Sequence, residues 1–187
     1  MNARDALNVI TQPESGEHEC QSHSGAGPVL PVLPVKIRHL YISRGHNFFE
    51  HHGRTPGENP VQLVPEIQCL AGRGIRGDRF LNHKENYKGQ ITFFAAEVYD
   101  AISRELDVHN KPPSVFRRNV ITKDVDLNEL IDEEFEIQGV RFRGMEECKP
   151  CPWMYLAFAP GAELWLKGRG GLRAVILNDG KLRVNSR

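Results

Sequence analysis

The stretch EFEIQGVRFRGM, residues 134–145, decides how the rest of the chain is read. Phe135 and Ile137 alternate with glutamates, and beyond Gly139 the apolar Val140 and Phe142 alternate with arginines. A period of two on both sides of a glycine turn marks a β-hairpin with one face buried.

The same patterning recurs outward in both directions. VKIRHLYIS (35–43), PEIQCLAGRGIRGDRF (65–80, broken by glycines at 72, 74 and 77), QITFF (90–94) and FRRNVIT (116–122) read as strands. The closing GLRAVILNDGKLRV (171–184) carries Asp-Gly between two apolar runs, which predicts a second hairpin. Helical spacing is confined to three places. Ala95, Val98, Tyr99, Ile102 and Leu106 share one helix face, and DLNELID (126–132) suggests a short turn. A helix is predicted from Trp153 to about Leu166, interrupted by Pro160 and Gly161. Strands and helices do not alternate regularly. The expected class is therefore mainly β with a few helices (α+β), a mixed barrel rather than a doubly wound parallel sheet.

Residues 1–34 are polar, lack apolar periodicity and end in a proline-punctuated run, so a disordered arm is expected ahead of one domain over 35–187. Acidic and basic residues number 24 each, which argues against the strong field that nucleic acid or an anionic membrane would select. No apolar run approaches the roughly 20 residues of a bilayer span. The first residues lack the pattern of a secretory signal, so the expected location is the cytoplasm, where thiols stay reduced. The cysteines at 20, 69, 148 and 151 are too unevenly spaced to suggest a disulfide framework.

Three motifs carry chemistry. AGRGIRGDRF (71–80) fits neither common phosphate-loop fingerprint. Its glycines nonetheless let backbone amides approach an anion, and Arg73, Arg76 and Arg79 supply charge-assisted donors. A solvated arginine-rich turn accounts for the same residues without function. In FRRNV (116–120), read as strand, Arg117 and Arg118 face opposite ways while Arg117 shares a face with Asn119. A planar cation beside an amide suits phosphate, although an edge-strand arginine in solvent has the same pattern.

The third motif is CKPC (148–151). Structural zinc would need two more ligands; Cys20 and Cys69 are isolated, and the adjacent His51 and His52 point apart on an extended backbone. A thioredoxin-like dithiol would need a βαβ setting that the pattern lacks. A reactive thiolate and a buried inert cysteine remain. Pro152 suits a first helical turn, and a helix N-terminus stabilises thiolate, with Lys149 close by. That favours Cys151 as nucleophile or soft-metal ligand.

In their order, GIRGDRF, GQITFF, FRRNVIT, DLNELID, the hairpin, CKPCPW and GRGGLRAVIL resemble the MOSC family, named for the molybdenum cofactor sulfurase C-terminal domain. The resemblance covers about residues 35–185 and implies a β-rich, barrel-like fold. It implies a site for the molybdenum cofactor, a pterin, or for a sulfurated relative. By the same resemblance Cys151 is the catalytic sulfur carrier or the molybdenum ligand, and Arg79, Arg117 and Asn119 bind the cofactor. The implied activity is sulfur transfer or reduction of N-hydroxylated compounds, with an electron-donor or sulfur-donor protein as partner. The alternative is a non-catalytic carrier that delivers to a partner enzyme. Many stand-alone members have His after Gly-Asp-Arg, where this chain has Phe80, with His83 three residues on. No aminotransferase-like segment is seen, so pyridoxal phosphate is not expected within this chain.

Overall fold

The computed structural model describes residues 35–47 and 56–185; the arm expected over 1–34 and the His51–His52 pair lie outside them. In chain order the strands are β1 (Lys36–Ile42), β2 (Gln62–Val64), β3 (Glu66–Leu70), β4 (Gly74–Ile75), β5 (Ile91–Ala95), β6 (Val120–Lys123), β7 (Glu134–Ile137), β8 (Val140–Glu147), β9 (Leu172–Ile176) and β10 (Gly180–Arg183). The helices are α1 (Ala96–Glu105), α2 (Met154–Ala157) and α3 (Ala162–Trp165), with a 3-10 turn over Pro113–Phe116. Seven strands form one sheet in the order β2-β1-β6-β5-β9-β8-β7, and three form another, β10-β3-β4. The protein is thus mainly β with a few helices, as the periodicity predicts. Among the described residues the sheets stay open and no hydrogen-bonded barrel closes.

The opening stretch folds as expected. β7 and β8 pair antiparallel, with Phe135 opposite Phe142 and Ile137 opposite Val140. Gln138 and Gly139 make the turn at φ 52° and 79°. Two successive positive φ values match the twist of the flanking strands. Among the described strands one pair is parallel, β5 with β6, and it is bridged by α1. Ile102 is buried on the predicted face of α1, and Val98, Tyr99 and Leu106 pack beside it.

The second predicted hairpin does not form. β9 pairs with β5 and β8, whereas β10 pairs with β3 in the other sheet. Asp179 and Gly180 lack the positive φ of a two-residue hairpin turn. Their neighbourhood instead ties loops together: the Ala71 amide donates to Asp179 Oδ1 (2.7 Å), and the Arg141 amide to Asn178 Oδ1 (2.6 Å). The Asp-Gly segment carries the chain from one sheet to the other.

The helix expected after the cysteines is reduced to the two single turns α2 and α3, separated around Pro160 and Gly161, the latter at φ 85°. DLNELID forms consecutive tight turns that bury Leu127 and Leu130.

Two apolar clusters hold the elements together. The larger lies between the sheets and centres on Phe93, whose ring meets Phe135 and Phe142 edge-on at 5.8 and 5.4 Å. The smaller lies on the opposite face of the large sheet, where Phe94, Ile102, Phe116, Ile121, Met154 and Phe158 pack beneath the helices. Strand alternation feeds both: Ile91 and Phe93 enter the first, Phe94 the second.

Candidate functional site

A cavity of about 140 Å³ opens beside the smaller cluster. Thr92 of β5 and Arg173 of β9 reach it from the sheet. Arg79, Phe80 and Tyr87 come from the loop after β4, Phe116 to Arg118 from the 3-10 turn and its exit, and Cys148 and Cys151 from the segment after β8. Three sequence-predicted residues, Arg79, Arg117 and Cys151, therefore converge here.

The route by which Arg117 arrives differs from the strand reading. β6 begins only at Val120, and Arg117 terminates the 3-10 turn in the left-handed region at φ 56°. Strand alternation therefore does not govern residues 117–119. Arg117 Nη2 donates to Ser43 Oγ (3.1 Å) and to the Gly45 carbonyl (2.7 Å). Arg118, placed on the opposite face by that reading, lines the same cavity. It clamps the backbone by donating to the carbonyls of Phe116 (2.7 Å), Cys148 (2.8 Å) and Gly170 (3.1 Å). The clamp needs glycine at 170, because a Cβ there would stand 2.5 Å from the Cys148 carbonyl oxygen.

Asn119 is not among the lining residues. Its side chain is buried and bonded internally. Oδ1 accepts from the Thr92 amide (3.1 Å) and Thr92 Oγ1 (2.8 Å), and Nδ2 donates to the Tyr41 carbonyl and Asp78 Oδ2, both at 3.2 Å. It braces Thr92 directly and Arg79 through Asp78.

Arg79 and Asp78 form the site's electrostatic centre. Their side chains are 9% and 1% exposed and lie 3.5 Å apart. Asp78 Oδ2 also accepts from the Ser43 amide (3.1 Å), and Arg79 Nη2 donates to the Arg117 carbonyl (3.3 Å). Arg79 Nε is buried with no hydrogen-bond partner. Burial lowers the Arg79 pKa, Arg118 adds to the fall and Asp78 opposes it. Burial also pulls Arg117 down to about 10, helped by Arg79 and opposed by Asp78. Both guanidiniums stay charged at neutral pH, so the shifts reflect mainly the cost of burying charge, with like charge adding to it.

The cysteines divide differently from expectation. Cys151 is half-buried and lies two residues before the Trp153 N-cap of a helix only four residues long. So short a helix supplies no useful macrodipole, and Lys149 is exposed. Positive charge comes instead from arginines. Cys148 is buried and lines the cavity together with the Arg173 guanidinium. Burial acts to lower the Arg173 pKa, but the neighbouring Cys148, Tyr87 and Glu146 carry it upward on balance. Cys69 sits in the inter-sheet core, where burial pushes its thiol up to about 12 and keeps it protonated.

An aromatic rim borders the arginines. Phe80 stands 4.9 Å from His46, 5.4 Å from His83 and 5.0 Å from Tyr87, ring centre to ring centre, and the Arg79 guanidinium lies over its ring at 4.7 Å. Phe80 thus caps the central arginine. Sequence reading missed His46, Tyr87, Thr92, Arg118 and Arg173. Arg173 had a visible signal, a lone charge inside the apolar run LRAVI. Among the described residues no three His, Cys, Asp or Glu side chains converge as a metal cluster. The larger cavity, about 440 Å³ near Glu97, Asp124 and Asp126, contains no thiol and only one arginine, Arg169. Both site thiols and four arginines line the smaller one.

The family model of the MOSC domain matches residues 52–186. The chain belongs to the MOSC domain family. The fold extends N-terminally of that match, since β1 lies within the large sheet. Among solved structures, this MOSC domain is similar to the YuaD protein of Bacillus subtilis, with TM-score 0.63 at 17% identity over 80% of this chain and 91% of that one. It is also similar to YiiM from Geobacillus stearothermophilus (TM-score 0.57, 10% identity, 80% and 71% covered). For YiiM from Escherichia coli the values are 0.52, 16%, 80% and 70%. At these identities the likeness is one of fold. No curated protein matches the chain at a significant level. Among the described residues, no helix is long and apolar enough to cross a membrane.

Proposed function

We propose that this MOSC domain binds the molybdenum cofactor at the arginine- and thiol-lined cavity, with Cys151 as its soft donor. The observation that carries the reading is the convergence of Arg79, Arg117, Arg118 and Arg173 with two thiols on one cavity. Thiolate sulfur suits molybdenum or a persulfide, and guanidiniums suit the oxygens of a phosphorylated pterin. The buried, unpartnered Nε of Arg79 supports the fit, because it offers a donor that nothing in the protein uses.

The cavity alone would take only the reacting end of so large a group. Arg117 also lines an adjoining groove of about 320 Å³ with Asn47, Asn59, Val61, Ser114, Val115 and Ala157, which offers room for the remainder. When bound, the cofactor would supply either two-electron redox chemistry or a sulfur atom in transit. Arg79 and Arg117 hold its anionic parts, Asn119 keeps Asp78 and Thr92 in place, and the Phe80 rim limits access of water. Reduction of N-hydroxylated compounds and sulfur transfer both remain within this reading, and each calls for a donor protein as partner.

The test is elemental and pterin analysis of protein made in a cofactor-competent host, read beside melting temperature. Molybdenum and pterin are expected in the wild type, and Cys151→Ser is expected to lose molybdenum or labile sulfur while remaining folded. Protein free of molybdenum, pterin and labile sulfur would sink the proposal.

A further inference from the structure

Four guanidiniums face the small cavity, and Asp78 is the buried carboxylate among them. Arg173 meets Glu146 only at 3.7 Å, and Arg79 keeps one buried N–H unpartnered. An unsatisfied buried donor is costly, so the arrangement calls for an acceptor from outside the chain. The excess of positive charge makes that acceptor an anion. The part of it that enters this cavity of about 140 Å³ is small. The two thiols narrow the class further. A plain oxyanion gives sulfur nothing to react with, whereas an oxyanion carrying a sulfane sulfur does.

We propose that the cavity accepts a sulfonate-bearing sulfane donor of the thiosulfate type, and that Cys151 takes its outer sulfur. This rests on the sulfur-carrier reading of Cys151 and names the donor. The Cys151 thiolate attacks the outer sulfur, and a new sulfur–sulfur bond forms on Cys151. The sulfur–sulfur bond of thiosulfate breaks, its electron pair leaves with sulfite, and Cys151 is left as a persulfide anion. Three negative charges stand on each side, and no oxidant or reductant enters. The proton lost when the thiol ionises passes to solvent. Arg79, Arg117 and Arg173 hold the sulfonate oxygens and stabilise the charge that collects on departing sulfite. Arg118 is committed to its three carbonyls.

The experiment incubates the purified full chain with thiosulfate and reads sulfite release and intact mass. The expected result is the gain of one sulfur atom with equimolar sulfite, mapped to Cys151 by peptide mass and absent in Cys151→Ser. Arg173→Gln should slow loading about tenfold or more, the loss expected for a charge-assisted hydrogen bond. Its side chain is 35% exposed, so the exchange spares the core. No loading from thiosulfate, sulfur mapped to Cys148 rather than Cys151, or an undiminished rate in Arg173→Gln would each overturn the proposal. Glutathione persulfide, which has no sulfonate, is the second donor. If it alone loads Cys151, the thiosulfate assignment fails and the carrier reading stands. If neither donor loads the chain, both fail.

Discussion

Strands β5 and β9 each present two faces governed by different physics. Toward the other sheet they offer Ile91, Phe93, Ala95, Leu172, Ala174 and Ile176, all buried and apolar. On the opposite face they offer Thr92 and Arg173 to a cavity crowded with like charge. Water exclusion stabilises the first face, and any side chain of suitable volume contributes. The second face carries buried charges that only named partners offset. One pair of strands thus supplies both the main source of stability and a site that is costly without a ligand.

The contrast is tested most severely in the core. Phe93→Ala should destabilise the protein by about 3–5 kcal/mol, as for large aromatic truncations. Denaturant titration measures this, and a loss below about 1 kcal/mol would mean that Phe93 is not the centre of the inter-sheet packing. On the site face, Asp78→Asn should cost about 3 kcal/mol, because it leaves the Arg79 charge buried without its counter-ion. Unlike the Phe93 loss, this one should shrink when sulfate is added, since an anion in the cavity replaces the missing charge. Equal sensitivity of both variants to sulfate would erase the distinction between the faces.

The smallest effect is a pH dependence. Burial lowers the His46 pKa, as do Arg79, Arg117 and His83, while Asp78 opposes them. Because the folded pKa lies below the unfolded value of about 6.5, the unfolded chain binds the proton first as pH falls. Stability is therefore present above about pH 6.5 and is lost as pH drops toward the folded pKa. Melting temperature followed from pH 7.5 to 5 should fall more steeply in the wild type than in His46→Gln. Sulfate should flatten the wild-type slope, and parallel slopes without sulfate would remove His46 from the charged set.

The same two faces explain what could be read from the sequence. The 134–145 hairpin was legible because its alternation and its glycine turn agree, and the face of α1 was legible from its period. The Asp-Gly at 179–180 misled because its neighbours bond to loops far away in sequence, through Ala71 and Arg141. The site was half legible. Residue types singled out Arg79, Arg117 and Cys151, but the left-handed turn at Arg117 leaves no mark in a one-dimensional pattern. Asn119 was chosen for its donor chemistry, which the structure spends on Tyr41 and Asp78. Cys148 looked secondary because its arginine partner lies 25 residues further along the chain.

Among the described residues the large sheet is open and ends in two strands that each pair on one side, β2 and β7. Such rims are templates on which another chain can lay a strand, and proteins discourage this with short segments and charge. Here β2 is three residues long, and β7 alternates Glu134 and Glu136 with its two core residues. A copy of β7 approaching rim to rim would bring like carboxylates together, and a copy of β2 would find too few backbone groups to hold. Shortness makes the β2 margin a poor seed for aggregation, and at β7 the glutamates that first revealed the hairpin do so.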